Sequence, residues 1–248
     1  MSTTAITLNK NTPRPADRLI DYRSFRLSKL KGEFSYLLYL IFWPVFGLAF
    51  LFMERFYTPK SWNVIYTGLD DLIPFCELFL IPYMFWFVYL VGTLGYTLLF
   101  NSDAFVRMMR FIIFTYTVTI IIYILYPNCQ ELRPEAFPRD NPLTRFIASF
   151  YEFDTNTNVC PSIHVIGSVA AMLAAWDTER FSSPGFKLSF GIAAFLISIS
   201  TVFMKQHSII DVIAAAALCA VGYAAVYLLP KIKYSRGLKE EKVNEKVS

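Results

Sequence analysis

The chain has 248 residues, 55% of them hydrophobic and 17% charged, with a mean hydropathy of +0.44. A soluble domain carries about 25% charged residues, so this composition describes a membrane protein; the apolar content excludes a disordered chain, and 10 Gly and 13 Pro without period exclude a collagen-like fibre. The net charge of +4 is dispersed between apolar runs, which argues against nucleic acid as a partner.

Residues 1–33 form a basic N-terminal segment. Within it, 17–31 mixes Leu19, Ile20, Phe25 and Leu27 with Arg and Lys, which suits either an interfacial helix on anionic lipid or the ordinary basic flank of a span. A membrane-crossing helix needs about 20 apolar residues. Six stretches free of Asp, Glu, Lys and Arg meet or approach that length, at 34–53, 78–100, 111–130, 155–176, 188–204 and 212–230. The second extends back to about Leu72 if Glu77 is counted inside it. The first lacks the short apolar region and small-residue site of a removable signal peptide. Between the first two, 56–69 carries Tyr57, Trp62 and Tyr66, as expected of chain at headgroup level, and no chemistry is assigned to it. Residues 231–248 form a basic tail, and no internal repeat suggests a transporter built of inverted halves. The expected fold is therefore all-α, a six-transmembrane-helix bundle over 34–230.

Six spans put both termini on one side. Of the 23 Lys and Arg, 17 fall on that side, in the two terminal segments and at Arg107, Arg110, Arg180 and Lys187. Arg55, Lys60, Arg133, Arg139, Arg145 and Lys205 fall on the other. Positive charge collects on the cytoplasmic side, so both termini are expected in the cytoplasm of a multi-pass cell-membrane protein.

The chain has two histidines, and each lies at the expected outer end of a span. The run Cys160-Pro161-Ser162-Ile163-His164 opens the fourth helix; Pro suits a first helical turn, whose free N–H groups favour an anion. The run from Lys205 through His207 to Asp211 opens the sixth, and the i, i+4 spacing sets Asp211 beside His207, where a carboxylate fixes the imidazole tautomer. Leu132-Arg133-Pro134 follows the third, and its guanidinium offers a fork of donors to phosphate oxygens. Each signal is common alone, but together they place Arg133, His164, Lys205, His207 and Asp211 on one outer face. Glu77, near the outer end of a span, is a further suspect. Cys129 and Cys160 bracket the Arg133 loop, and an oxidising exterior would allow them to pair. Cys76 and Cys219 read as membrane-buried thiols, and no Cys or His spacing suits zinc. The acidic residues Glu131, Glu135, Asp140, Glu152 and Asp154 read as a solvated loop rather than a metal site.

The ordered set Arg133-Pro134, Pro161-Ser162-x-His164 and His207-x-x-x-Asp211 on such a chain resembles the type 2 phosphatidic acid phosphatase superfamily, over roughly 34–230. That superfamily includes lipid phosphate phosphatases, isoprenyl diphosphate phosphatases and sphingolipid head-group synthases. The resemblance implies His207 as nucleophile toward phosphorus, Asp211 as its partner and His164 as the acid for the leaving oxygen. Arg133 and Ser162 would bind the phosphate, with neither metal nor cofactor. The family's first motif has Lys where this chain has Tyr126, its middle motif has Gly at Ile163, and its last motif has Arg at Thr201; Lys205 is the replacement cation at hand. The expected function is a metal-independent lipid phosphate or diphosphate phosphatase acting through a phosphohistidine. A head-group phosphotransferase and a catalytically inactive lipid-binding relative, the latter motivated by Tyr126 and Thr201, remain the alternatives.

Overall fold

The computed structural model describes residues 17–230; the first 16 residues and the basic tail lie outside the described residues. Seven helices follow in chain order: α1 (Phe42–Arg55), α2 (Leu80–Phe100), α3 (Ser102–Leu125), α4 (Pro142–Phe153), α5 (Ile163–Trp176), α6 (Pro184–Phe203) and α7 (Ile209–Tyr223). A 3-10 stretch (Ser35–Ile41) leads into α1, and a π-helical turn (Ala224–Leu228) continues α7. Two short strands, β1 (Asn63–Val64) and β2 (Asn128–Cys129), pair in parallel and tie the α1–α2 connection to the end of α3.

Local chemistry sets the helix ends. Asn101 caps α3 through the Ala104 N–H, and Ser183 with Pro184 opens α6. Asn141 and Thr144 form a capping box on α4, and Ser208 and Asp211 form one on α7. Five helical stretches are long and apolar enough to cross a membrane: Ser35–Arg55, Glu77–Phe100, Ser102–Leu125, Pro184–Phe203 and Ile209–Leu228. Large apolar side chains such as Leu48, Val88, Val91 and Phe195 stand exposed on them, a surface suited to lipid rather than water.

Two spans are placed differently from the sequence expectation. The third starts at Ser102 rather than 111, because Arg107 pairs with Asp177 at the end of α5 and Arg110 Nε–H donates to the Tyr39 hydroxyl at 3.0 Å. The fourth expected stretch becomes α5, which starts at Ile163 rather than 155 and is not among the five helices long enough to cross a membrane. Residues 155–162 form irregular chain across one end of the bundle, held by side-chain hydrogen bonds from Asn128, Asn158 and Thr155. The 14-residue α5 packs against α2, α3, α6 and α7. Nine of its residues are buried, and six of those are Gly, Ser or Ala, so the neighbouring backbones approach closely. The amphipathic α4 occupies chain whose charge pattern suggests a loop.

The basic flank does not form an α-helix. Residues 17–31 contain two 3-10 turns, and Asp17 accepts from the Asn101 amide and from the Arg180 N–H, pinning the segment to the bundle end where α2 meets α3. The candidate site residues lie at the opposite end.

Candidate active site

The turn between α6 and α7 carries the second histidine. The N–H groups of Gln206 and His207 both donate to the Thr201 carbonyl, closing the end of α6, and Lys205 takes a left-handed φ of 54°. Glycine usually supplies that conformation, and a lysine there costs about 1–2 kcal/mol. The Lys205 carbonyl accepts from Gln130 Nε2 at 3.0 Å, and its ammonium donates to the Asp70 carbonyl at 2.7 Å. Burial lowers the Lys205 amine below its ordinary value, against the raising pull of Asp70 and Asp71.

His207 Nδ1 lies 3.1 Å from Asp211 Oδ2, which also accepts the Ser208 N–H at 2.9 Å. A carboxylate only accepts, so this contact places a proton on Nδ1, and in the neutral ring that leaves the lone pair on Nε2. The second ring stands opposite, with the His164 and His207 centroids 5.7 Å apart. Both are nearly enclosed, at 7% and 6% exposure. His164 is walled by Tyr83 at 4.7 Å and Trp86 at 4.6 Å, both from α2. Tyr83 donates its hydroxyl to Asp154 at 3.0 Å, and burial raises the Asp154 carboxyl against the lowering effect of Tyr83, His207 and Arg133.

Ser162 precedes α5, and its N–H reaches the Asp211 carbonyl at 3.3 Å, joining the two histidine-bearing segments. Its Oγ is buried without a hydrogen-bond partner, as are His164 Nδ1, Gln206 Nε2 and Arg133 Nε. Trp86 Nε1 and Asp211 Oδ1 are unpaired as well; buried polar atoms are normally paired, so this group of open ones around the two imidazoles marks a place for a polar ligand. Arg133 otherwise spends its guanidinium on the chain: Nη1 donates to the Tyr151 carbonyl at 2.8 Å, and Nη2 to the carbonyls of Asp154 and Thr155 and to Gln206 Oε1. The group also lies 4.3 Å over the Tyr151 ring, and burial lowers it from the usual arginine value.

Of the residues read from the sequence, His164, His207, Asp211 and Ser162 converge directly. Arg133 touches the group through Gln206, and Lys205 turns toward Asp70 on the other flank of His207. Tyr126 is half exposed, and Thr201 is buried with its hydroxyl on the Ser198 carbonyl, so neither position offers a cation. Glu77 accepts from Arg139 and Asn141 and so fastens the start of α4. All four cysteines are free thiols, Cys129 and Cys160 among them. Among the described residues the acidic side chains do not gather into a metal-holding group; Asp140 pairs with Arg145 and Asp154 turns to Tyr83.

Asp70, Tyr83, Trp86 and Asp154 are neighbours of the site that the motifs did not include. The Asp70-Asp71 pair ahead of an apolar run was a visible signal for one of them. A family model for the PAP2 superfamily matches residues 107–234. The chain belongs to the PAP2 superfamily. Membership places it among phosphatases and related phosphotransferases, and the match takes in Arg133, Ser162, His164, Lys205, His207 and Asp211 while leaving α1 and α2 outside. Searches of curated proteins and of solved structures find no match to this PAP2 chain.

Proposed function

We propose that the protein is a metal-independent phosphatase for a membrane lipid phosphate or diphosphate, working through a phosphohistidine. One observation carries the reading: two histidines face each other at 5.7 Å, and only one of them has a carboxylate on its Nδ1. His207 Nε2 attacks phosphorus while the bond to the lipid oxygen breaks, and Asp211 stabilises the imidazolium that forms. His164 gives its proton to the departing oxygen. Water then attacks the phosphohistidine, His164 takes a proton back from that water, and inorganic phosphate leaves.

Ser162 Oγ, Arg133 Nε and the Lys205 ammonium are the donors for the phosphate oxygens, since phosphoryl transfer depends on charge and fixed dipoles around them. The unpaired Ser162 and Arg133 atoms support this. In this reading α5 is a sixth span, shielded by its neighbours, and the site lies at the outer face with both termini cytoplasmic. The lysine and arginine distribution supports that orientation. The enclosure of both histidines favours a second reading, transfer of the phosphoryl head group to a lipid alcohol instead of water.

The test is phosphate release by detergent-purified protein from a panel of lipid phosphates and diphosphates with chelator present. Release is expected to survive chelation and to fall by about 10⁴-fold or more in His207→Ala. Release that needs an added metal, or that persists in His207→Ala, overturns the reading. Phosphoryl lipid formed only with added alcohol selects the transferase.

A further inference from the structure

Asp70 lies outside the stretch matched by the family model, in the connection between α1 and α2. It is fully buried, and it grips the chain on both sides of His207. Its carbonyl accepts the Lys205 ammonium at 2.7 Å, two residues before the histidine. Its carboxylate accepts the Ser208 hydroxyl at 2.6 Å and the Ile209 N–H at 2.9 Å, one and two residues after it. The residue is itself held in place, because Oδ2 takes the Thr67 N–H at 2.9 Å and the Asp70 N–H donates to the Thr67 carbonyl at 2.8 Å.

We propose that Asp70 is a positioning residue for the nucleophile, a clamp that fixes His207 and Lys205 relative to each other. The proposal rests on the reading of His207 as the attacking group. The turn it spans holds a lysine in left-handed backbone, a conformation that persists only where surrounding contacts over-determine it. Asp70 supplies contacts at both ends of that turn. The division of donors at the start of α7 is the second part of the argument. Two carboxylates share that helix terminus: Asp70 takes the Ile209 N–H and the Ser208 hydroxyl, and Asp211 takes the Ser208 N–H. The Ser208 Oγ accepts the Ile210 N–H, so its single proton is committed to Asp70. Asp211 is thereby left aimed at His207 Nδ1. A displacement of about 1 Å in such a constellation costs about 10²-fold in rate, so the clamp acts on turnover.

Asp70→Asn keeps the size and the Lys205 contact, which is made to main chain, and removes the charge. Hydrogen exchange of the backbone across 205–212, measured on purified full-length protein without substrate, is expected to speed by about tenfold at Ile209, with α2 and α3 unchanged. With dioleoyl phosphatidic acid and farnesyl diphosphate in detergent micelles as probes, kcat is expected to fall about tenfold or more while KM stays within about twofold. Ser208→Ala removes the hydroxyl's own bond to the Asp70 carboxylate, so the double variant should be no slower than the slower single one. Unchanged exchange at Ile209, a loss confined to KM, or fully additive losses would overturn the clamp. Should Asp70→Asn not fold, Ser208→Ala carries the kcat and KM measurement, since it removes the hydroxyl contact and leaves the carboxylate and its Ile209 bond in place. A wild-type protein that hydrolyses neither probe counts against the phosphatase reading alone, and the exchange comparison then decides the clamp.

Discussion

The two histidines face one another, yet their surroundings have little in common. His207 sits in a turn whose neighbours Lys205, Gln206 and Ser208 are all buried polar residues, with a carboxylate at its ring nitrogen. His164 opens a helix, is flanked by the rings of Tyr83 and Trp86, and has no partner at Nδ1. An imidazole backed by a carboxylate is stabilised as the cation it becomes on bonding to phosphorus. One walled by aromatic rings has no carboxylate to hold it in that form. In the proposed chemistry the same side chain takes two roles, and what differs around it is the carboxylate at one ring and the aromatic wall at the other.

Breaking the carboxylate side should have the largest effect. In Asp211→Asn the amide can present a donor to Nδ1, which favours the wrong tautomer and removes the stabilising charge. Turnover is expected to fall by about 10³–10⁴-fold with the fold intact. Steady-state kinetics on the best substrate of the panel checks this, and a loss under tenfold would mean that Asp211 serves only the capping box. The His164 side is tested through the leaving group. His164→Ala should slow release from an alkyl phosphate by about 10²–10³-fold, a normal share for a general acid. The loss should shrink sharply with an aryl phosphate, whose phenolate departs without a proton. Equal losses on both esters would remove His164 from the acid role.

Lys205 sharpens the comparison from the His207 side. Its ammonium must be charged to hold a phosphate oxygen, and burial lowers it from 10.5. The protonated form is therefore lost as pH rises through a value below 10.5, and the alkaline limb of the rate profile should lie there. Lys205→Ala is expected to cost about 10²-fold. Lys205→Arg should keep more activity and move the alkaline limb upward, because a guanidinium does not deprotonate in this range. An unmoved limb would assign it to another group.

These residues also mark how far the amino-acid sequence alone reaches. Apolar run length implies an all-α chain with long helices, because the membrane imposes that length on sequence. It misplaces the start of α3, where Arg107 is neutralised by Asp177, a partner 70 residues away. It assigns 155–162 to a helix, since nothing local shows that Asn128 holds this stretch from across the end of the bundle. His164, Ser162, His207 and Asp211 are legible because each motif is local and carries its own spacing. Tyr83 is not, and the Asp70-Asp71 pair stands out only as acidic residues ahead of an apolar run, because both reach the site from segments far from it in the chain. Arg133 stands out for its donors, but sequence cannot reveal that the Tyr151, Asp154 and Thr155 carbonyls occupy most of them.

The smallest expected effect isolates the aromatic wall. Gly167 lies one turn after His164 on α5, and a Cβ there would stand 2.8 Å from the Tyr116 hydroxyl and 2.9 Å from Trp86 Nε1. The Tyr116 hydroxyl is held on the Ile163 carbonyl at 3.3 Å, so Trp86 must give way, and it is the ring packed on His164. Gly222 offers a matched control: its Cβ would meet Thr115 and Phe111 between α7 and α3, in the last turn of α7 and far along the helix from His207. Overpacking at either position should cost about 1–3 kcal/mol of stability. Gly222→Ala should lower thermal stability and leave kcat unchanged once the fraction folded is counted. Gly167→Ala should lower stability comparably and in addition slow the alkyl phosphate severalfold, with the aryl phosphate spared. If the two alanine variants behave alike on both esters, the wall is packing only, and the difference between the histidines reduces to Asp211.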